Sequence, residues 1–517
     1  MKKILVLLVT ICLSSSAFAA NWQMVGARSM GMGGTGVATA QGTYAQYYNP
    51  ALLAVKQEGD RNSQLSFGLG MQGETTSAIY DAAKQLMDMS ERYKALVNNM
   101  EPGTNLAGTE DLQTIFEGMA DINDLLKNNT GILFGADLGV GFKSGNFGVS
   151  IRSLGSMAAA PVIDRNNLLV YNTGTSGLNF IPTTSLNNPS LTVFRDMLKT
   201  SIQDTNIVND LQVLIGTSVD DPEKLANIII NTIDGALIPD IKKAVDSMVN
   251  NMSNVAEFIK GVSATSGLYS DNQTRVMAEM AAFSEAALGY GLNIIHGISL
   301  GASVKVIEGT TAQTGIFVLQ DDMGLGGIIK DAWSNKKFST NWGLDLGALI
   351  NFSDLFQGQV LFNPQVGITA KNINSPAFKR PGAPTNWTLP WNSDDYKLKP
   401  QIRAGASINP VKRITVAVDV DLNKNETTLK DYKSQQLAAG VEILTVDDIM
   451  FKLPIRFGIN KNLAESSAPM YFTAGFATMG HNVGFEMAAA IGDGVEKIDG
   501  NNAPNALGLS MNLTVAF

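Results

Sequence analysis

From Ile298 to Val306 the even positions are apolar (Ile298, Leu300, Ala302, Val304, Val306), and the odd ones are small or polar (Ser299, Gly301, Ser303, Lys305). Period-two alternation marks a strand with two unlike faces. It recurs at Ile132, Phe134, Ala136, Leu138, Val140 and Phe142, and at Ile414, Val416, Val418, Val420 and Leu422. About fourteen such segments occur, near 63–72, 131–142, 146–155, 281–293, 298–308, 340–351, 359–371, 400–409, 412–423, 434–444, 451–459, 468–478, 481–490 and 506–517. Each is about ten residues long, enough for a tilted strand to cross a bilayer, and an even number suits a closed antiparallel barrel.

A soluble sandwich would alternate too, so the connections decide. Long inserts at 73–130 and 156–280 alternate with short turns at 143–146 and 294–297, and this parity persists to the end of the chain. Barrels of the outer membrane sort their loops in this way, with short turns at one rim and long loops at the other. The faces also differ as lipid demands. Phe134, Leu288, Tyr290, Trp342, Leu344, Phe457 and Phe485 fall on one face. Asp137, Arg152, Glu285, Lys305, Asp345, Lys371, Arg403, Asp419, Glu442, Arg456 and Glu486 fall on the other. An Arg or Lys facing lipid at midplane costs about 2–4 kcal/mol, so these charges are expected to face the lumen. The fold class is therefore an all-β transmembrane protein: a barrel of about fourteen antiparallel strands with an N-terminal plug and α-helical extracellular inserts.

The block Gly26-Ala27-Arg28-Ser29-Met30-Gly31-Met32-Gly33-Gly34-Thr35-Gly36 is followed by Tyr47-Tyr48-Asn49-Pro50-Ala51-Leu52-Leu53. Together they resemble the N-terminal hatch of the long-chain fatty-acid transporters (FadL-type) of the outer membrane, and within that superfamily the TraF-like conjugal-transfer outer-membrane proteins. The resemblance implies a hatch over residues 20–62 inside a barrel over 63–517. Its plug residues would be Gly31, Gly33, Gly34, Gly36, Asn49, Pro50 and Ala51. The terminal strand ends in an aromatic, Phe517, which resembles the signal read by the barrel-assembly machinery. The insert 156–280 departs from the family pattern and puts its ligand-site geometry in doubt.

Gly31, Gly33 and Gly36 also fit the dinucleotide fingerprint. That motif needs a preceding strand and a βαβ unit, and neither is present. Glycines that let a backbone run compactly inside a narrow lumen, with Asn49-Pro50 fixing a turn, account for the block better.

Both long inserts carry helical spacing. Ile79, Ala83, Leu86, Ser90, Tyr93, Val97 and Met100 alternate by four and three, as do Ile241, Val245, Met248, Met252, Val255, Ile259 and Val262. Each set forms one apolar stripe. Helical hairpins over about 75–128 and 156–280 are expected to cap the outer mouth. Helices lying on the bilayer surface are the alternative, and few Lys or Arg support it.

Residues 1–19 have the layout of a cleaved secretory signal: Lys2-Lys3, an apolar run, then Ala17-Phe18-Ala19. Export to the outer membrane follows. The chain carries 38 Lys and Arg against 47 Asp and Glu, a formal charge of −9, which argues against a nucleic-acid surface. The single cysteine, Cys12, lies in the leader, so disulfides and thiol chemistry are excluded from the rest. His296 and His481 are far apart and have no recognisable triad or metal-ligand spacing. Asp419 and Asp421 point the same way from one strand, as lumen carboxylates do. No catalytic residue, metal or cofactor is expected.

The expected function is a channel or carrier for a hydrophobic or amphipathic small molecule. The alternative is a non-transporting conjugal-transfer or surface protein whose helical cap binds an envelope partner. Expected partners are the lipid bilayer, the barrel-assembly machinery and a small hydrophobic ligand. If that ligand carries a carboxylate, Arg403, Arg456 and Arg152 are the candidates to meet it, since a guanidinium binds carboxylate bidentately. The simpler account pairs most lumen cations with lumen carboxylates.

Overall fold

The computed structural model describes residues 23–55, 63–76, 131–162, 164, 273–317, 332, 334–383, 391–448, 451–498 and 501–517. The leader over 1–19 and nearly all of both helical inserts lie outside these described residues.

Fourteen strands close into one antiparallel barrel. They are β1 (Ser63–Thr75), β2 (Ile132–Ser144), β3 (Phe147–Val162), β4 (Arg275–Ile295), β5 (Ile298–Phe317), β6 (Lys337–Asn351) and β7 (Gln365–Lys371), then β8 (Gln401–Val411), β9 (Ile414–Asp421), β10 (Gln436–Asp447), β11 (Phe451–Asn462), β12 (Met470–Gly480), β13 (Val483–Gly492) and β14 (Ala506–Ala516). Each segment read from alternation falls on one strand. Closure runs through β14 and β1, in register from Gln64 opposite Ala516 to Glu74 opposite Ala506. The ring leaves no free edge in lipid, where an unpaired backbone group would cost several kcal/mol.

The expected sidedness is realised. Leu288, Tyr290, Trp342, Phe457 and Phe485 are exposed on the outer wall, whereas Asp137, Arg152, Lys305, Asp345, Lys371, Arg403, Asp419 and Arg456 are buried inside. Among the described residues no helix is long and apolar enough to cross a membrane. The crossing is made by strands.

Three strands, β3, β4 and β5, run well past the segments that alternation marks. β3 continues to Val162, and β4 starts at Arg275, which pairs with Val162 on one side and Phe317 on the other. The ends of the 156–280 insert are thus strand. Here the sheet rises beyond the clean dyad pattern, and residues 278, 281, 282 and 283 are buried while 284, 286 and 288 are exposed. Above the lipid a strand has no need of one uniformly apolar face, so the signal fades while the hydrogen bonds continue.

Residues 145–146, 296–297, 352–364, 412–413, 448 and 481–482 lie at the short-turn end. At the long-loop end, small two-stranded hairpins extend the connections: Ala377–Phe378 with Tyr396–Lys397, Asn425–Glu426 with Lys433–Ser434, and Val495–Ile498 with Asn501–Pro504. The core of the molecule is the lumen itself, filled by residues 23–55.

Candidate functional site: the plugged lumen

The plug is a chain of short turns. A one-turn helix, Ala27–Gly31, is entered through Gly26 at φ 85° and left through Gly33 and Gly34 at φ 71° and 97°. These are left-handed conformations that favour glycine. A 3₁₀ turn (Gly42–Tyr44), a helix (Ala45–Tyr48) and a second 3₁₀ turn (Pro50–Ala54) follow. Asn49 caps the last of these, its Oδ1 accepting from the Ala51 amide at 3.0 Å, and Pro50 fills the first position, where no amide is needed.

Asn49 is fully buried and does more than cap. Its Nδ2 donates to Val37 O, tying the two halves of the plug together, and to Ala348 O in the wall, each at 3.0 Å. The wall is shaped to receive it. Gly301 and Gly347 are paired across β5 and β6. A Cβ on the first would strike the Pro50 backbone, and one on the second the Asn49 side chain. Gly440 and Gly458, paired across β10 and β11, meet the Met32–Gly33 backbone in the same way. Plug main chain and barrel main chain therefore approach closely on both sides of the lumen.

Charges fasten the plug at two further places. Arg28 donates from Nε and Nη2 to the Glu442 carboxylate at 3.0 and 2.8 Å, and from Nη1 to Thr39 O. Arg456 shares that carboxylate at 2.6 Å and also reaches Glu486 at 3.0 Å. Asp419 Oδ2 accepts the amides of Gly36 and Val37 at 2.8 and 2.9 Å. Beside it Arg403 donates to Asp421 at 2.6 Å and to Gly34 O at 3.3 Å. On the opposite wall Lys305 lies 3.2 Å from Glu285 and 3.0 Å from Asp345. Tyr47 stands between cations, with Lys371 Nζ 3.1 Å and the Arg152 guanidinium 5.5 Å from its ring centre. Arg152 also lies over Tyr44 at 4.9 Å. Burial pushes the Tyr44 and Tyr48 hydroxyls well above the usual phenol range, so both stay neutral, and Tyr48 donates to Val25 O at 2.9 Å.

Above the plug, the described parts of the next long connection, 372–383 and 391–400, fold back inward. Phe378, Tyr396 and Leu398 pack with Leu154, Phe283 and Ile307 of the wall and with Val25 of the plug. Phe283 meets Phe378 and Tyr396 at ring separations of 4.8 and 5.4 Å. The 422–435 connection is latched by Tyr432, which donates to Glu74 at 2.9 Å, as does Tyr471. Below, at the short-turn end, a cavity of about 390 Å³ separates the plug from the wall; Tyr44, Tyr48, Ser66, His481 and Thr514 line it.

The residues expected from sequence thus take definite places. Gly31, Gly33, Gly34, Gly36, Asn49, Pro50 and Ala51 are all in the lumen, against or facing β8–β12 or β5–β7. Arg403 and Arg456, expected to meet a ligand carboxylate, are placed against protein carboxylates instead. Arg152 differs in lying over the Tyr44 and Tyr47 rings rather than against a carboxylate, and its Nη1 has no hydrogen-bond partner among the described residues. Phe517 ends the closing strand, its amide and carbonyl bonded to Ser63 at 3.0 and 3.2 Å. Sequence reasoning missed Arg28, Tyr47 and Glu74; a cation inside a Gly-rich block was the only available signal for the first. Among the described residues no group of three or more His, Cys, Asp or Glu side chains could hold a metal ion.

No curated protein matches the sequence. Among solved structures, the CymD monoaromatic hydrocarbon channel is similar at 10% identity and TM-score 0.41, over 96% of this chain and 99% of that one. The Pseudomonas putida toluene transporter TodX is similar at 10% identity and TM-score 0.38, over 97% and 98%. A Pseudomonas aeruginosa FadL homologue is similar at 9% and 0.37, over 96% and 98%. The family match is of a different kind, because it is made on sequence and spans residues 46–421, from the plug helix through β9. On that match the chain belongs to the family described as F plasmid transfer operon, TraF, protein.

Proposed function

We propose that this protein is an outer-membrane channel or carrier that admits a hydrophobic or amphipathic small molecule past an internal plug, and is not an enzyme. The observation that carries the reading is the aromatic cluster beneath the long loops, Phe283, Phe378, Tyr396 and Leu398, which ends on Val25 of the plug. An apolar ligand entering from the long-loop side gains by leaving water there. Its arrival competes with the packing of Val25, and part of the plug gives way. The cavity beside Tyr44 and Tyr48 then offers the exit toward the short-turn, periplasmic end. A ligand carboxylate would find Arg152 rather than Arg403 or Arg456, whose guanidinium groups are engaged by Asp421 and by Glu442 with Glu486. The test is uptake into proteoliposomes of a fatty acid, an alkane and a sugar. Uptake of the first two above the sugar is expected, and equal impermeability to all three refutes transport.

The family description favours a second reading, a surface protein of conjugal transfer whose outer inserts bind an envelope partner. Deleting 165–272, which spares β3 and β4, would abolish partner binding under this reading and alter uptake under the first.

A further inference from the structure

The lipid-facing wall carries a hollow that neither reading uses. Three neighbouring outward positions on β5, β6 and β7 are alanines: Ala302, Ala348 and Ala370. Register sets Ala302 and Ala370 on either side of Leu346, and Ala348 between Leu300 and Ile368. The alanines form a floor, and Tyr290, Leu292, Leu300, Leu346, Ile368 and Ile402 form a rim. The hollow measures about 660 Å³, within the ~300–1,000 Å³ of ordinary small-molecule sites, and no charged side chain lines it.

Its depth is defined by the turn below. Ala348 and Ile368 are each three residues from the Asn351–Gln365 pair that opens the turn, about 10 Å along a strand at roughly 3.3 Å per residue. That is the acyl region of the adjoining leaflet, given a hydrocarbon core of about 30 Å.

The turn itself, 352–364, is the longest at its end of the barrel and is unusually apolar. Phe356, Leu361 and Phe362 are 50%, 77% and 54% exposed, and the Phe352 and Phe356 rings stack at 6.5 Å. It is also firmly held. Asn409 N donates to Phe362 O at 2.6 Å, Phe352 N to Pro364 O at 3.0 Å, and Leu355 abuts Gly297 of the neighbouring turn. Aromatic side chains fixed at the rim of an apolar band belong to the membrane interface. Ile350, Val366 and Ile408 continue that band directly from the hollow to the turn; Val366 is 45% and Ile408 40% exposed.

We propose that the hollow and this ledge hold one diacyl phospholipid of the adjoining leaflet. One acyl chain lies over Ala302, Ala348 and Ala370, and the glycerol region rests beside Phe356, Leu361 and Phe362. The apolar floor on either side of Leu346 recognises a methylene chain by shape, and the rigid ledge limits where that chain can end.

Native mass spectrometry of the full chain, released from detergent after incubation with dioleoyl phosphatidylethanolamine, tests this. The parent protein is expected to carry one lipid. Filling the floor with Ala302→Leu and Ala348→Leu should reduce that adduct at least fivefold, and Leu361→Ser with Phe362→Ser should weaken it. Ala489→Leu, at an outward alanine on β13, should leave it unchanged. All variants keep apolar or rim positions compatible with a barrel, and heat-modifiable migration confirms folding. Equal lipid on the filled and parent proteins overturns the proposal. So does a parent that carries no lipid, or one that loses a second copy of the chain rather than a lipid when the floor is filled.

Discussion

Asn49 of the plug occupies the space that a side chain at Gly347 of β6 would fill. The plug is therefore seated by what the wall lacks as much as by what it offers, and three hydrogen bonds from one buried amide depend on that fit. Replacing Gly347 by Val should push Asn49 and Pro50 off the wall. The expected outcome is raised single-channel conductance in planar bilayers with normal amounts of folded barrel; unchanged conductance would show that this contact does not seat the plug. Asn49→Ala, which removes the bonds without the clash, should give a smaller rise. Each lost bond is worth about 1 kcal/mol.

The shared carboxylate of Glu442 predicts non-additivity. Arg28→Met and Glu442→Gln each break the same two-pronged pair, so the double variant should cost less than the sum of the singles. A coupling of about 1.5–3 kcal/mol is expected for a charge-assisted pair that is mostly sheltered from water. Denaturant release of the plug, followed by an environment-sensitive label on the plug, gives the cycle. Strict additivity would mean that the plug is held elsewhere.

Tyr432 and Tyr471 both donate to Glu74, one from a loop and one from the wall. Tyr432→Phe removes only the loop's share and leaves a buried carboxylate oxygen without that donor. The 422–435 loop should then open more often. Trypsin cleavage at Lys424 and Lys430 on intact cells should rise several-fold, while Tyr471→Phe should leave the loop better held. Equal protection of parent and Tyr432→Phe would dismiss the latch.

If the ligand is a carboxylate, Arg152→Met should weaken its binding about tenfold, or about 1.4 kcal/mol, and leave the matching alcohol unaffected. Arg403→Met and Arg456→Met should instead weaken acid and alcohol alike, because they disturb Asp421, Glu442 and Glu486. A selective loss of the acid at Arg403 would reverse the assignment.

Removing Phe517 deletes the last bonded pair of the closing seam, opposite Ser63. The fraction of chain that migrates as folded barrel without heating should fall. Barrel content equal to that of the parent would remove any assembly role from this residue.

Strand number, sidedness and loop parity were all legible in the sequence, because lipid imposes them residue by residue: each outward position must be apolar, each inward charge must find the lumen, and both rules have a period of two. The plug was legible as a Gly-rich block with an Asn-Pro turn, since those residues declare their backbone geometry locally. What each one touches was not. Gly301, Gly347, Gly440 and Gly458 read simply as small inward residues until the plug was seen lying on them, a contact made across more than two hundred residues of chain. Arg403 and Arg456 read as available cations for the same reason: alternation assigns a side chain to the lumen but does not say which carboxylate lies opposite. Asp421 stands across from Arg403, and Glu442 across from Arg456, only because the strands pair in this register. Tertiary structure alone decides that, since a shift of one residue would have sent every one of these side chains to the other face.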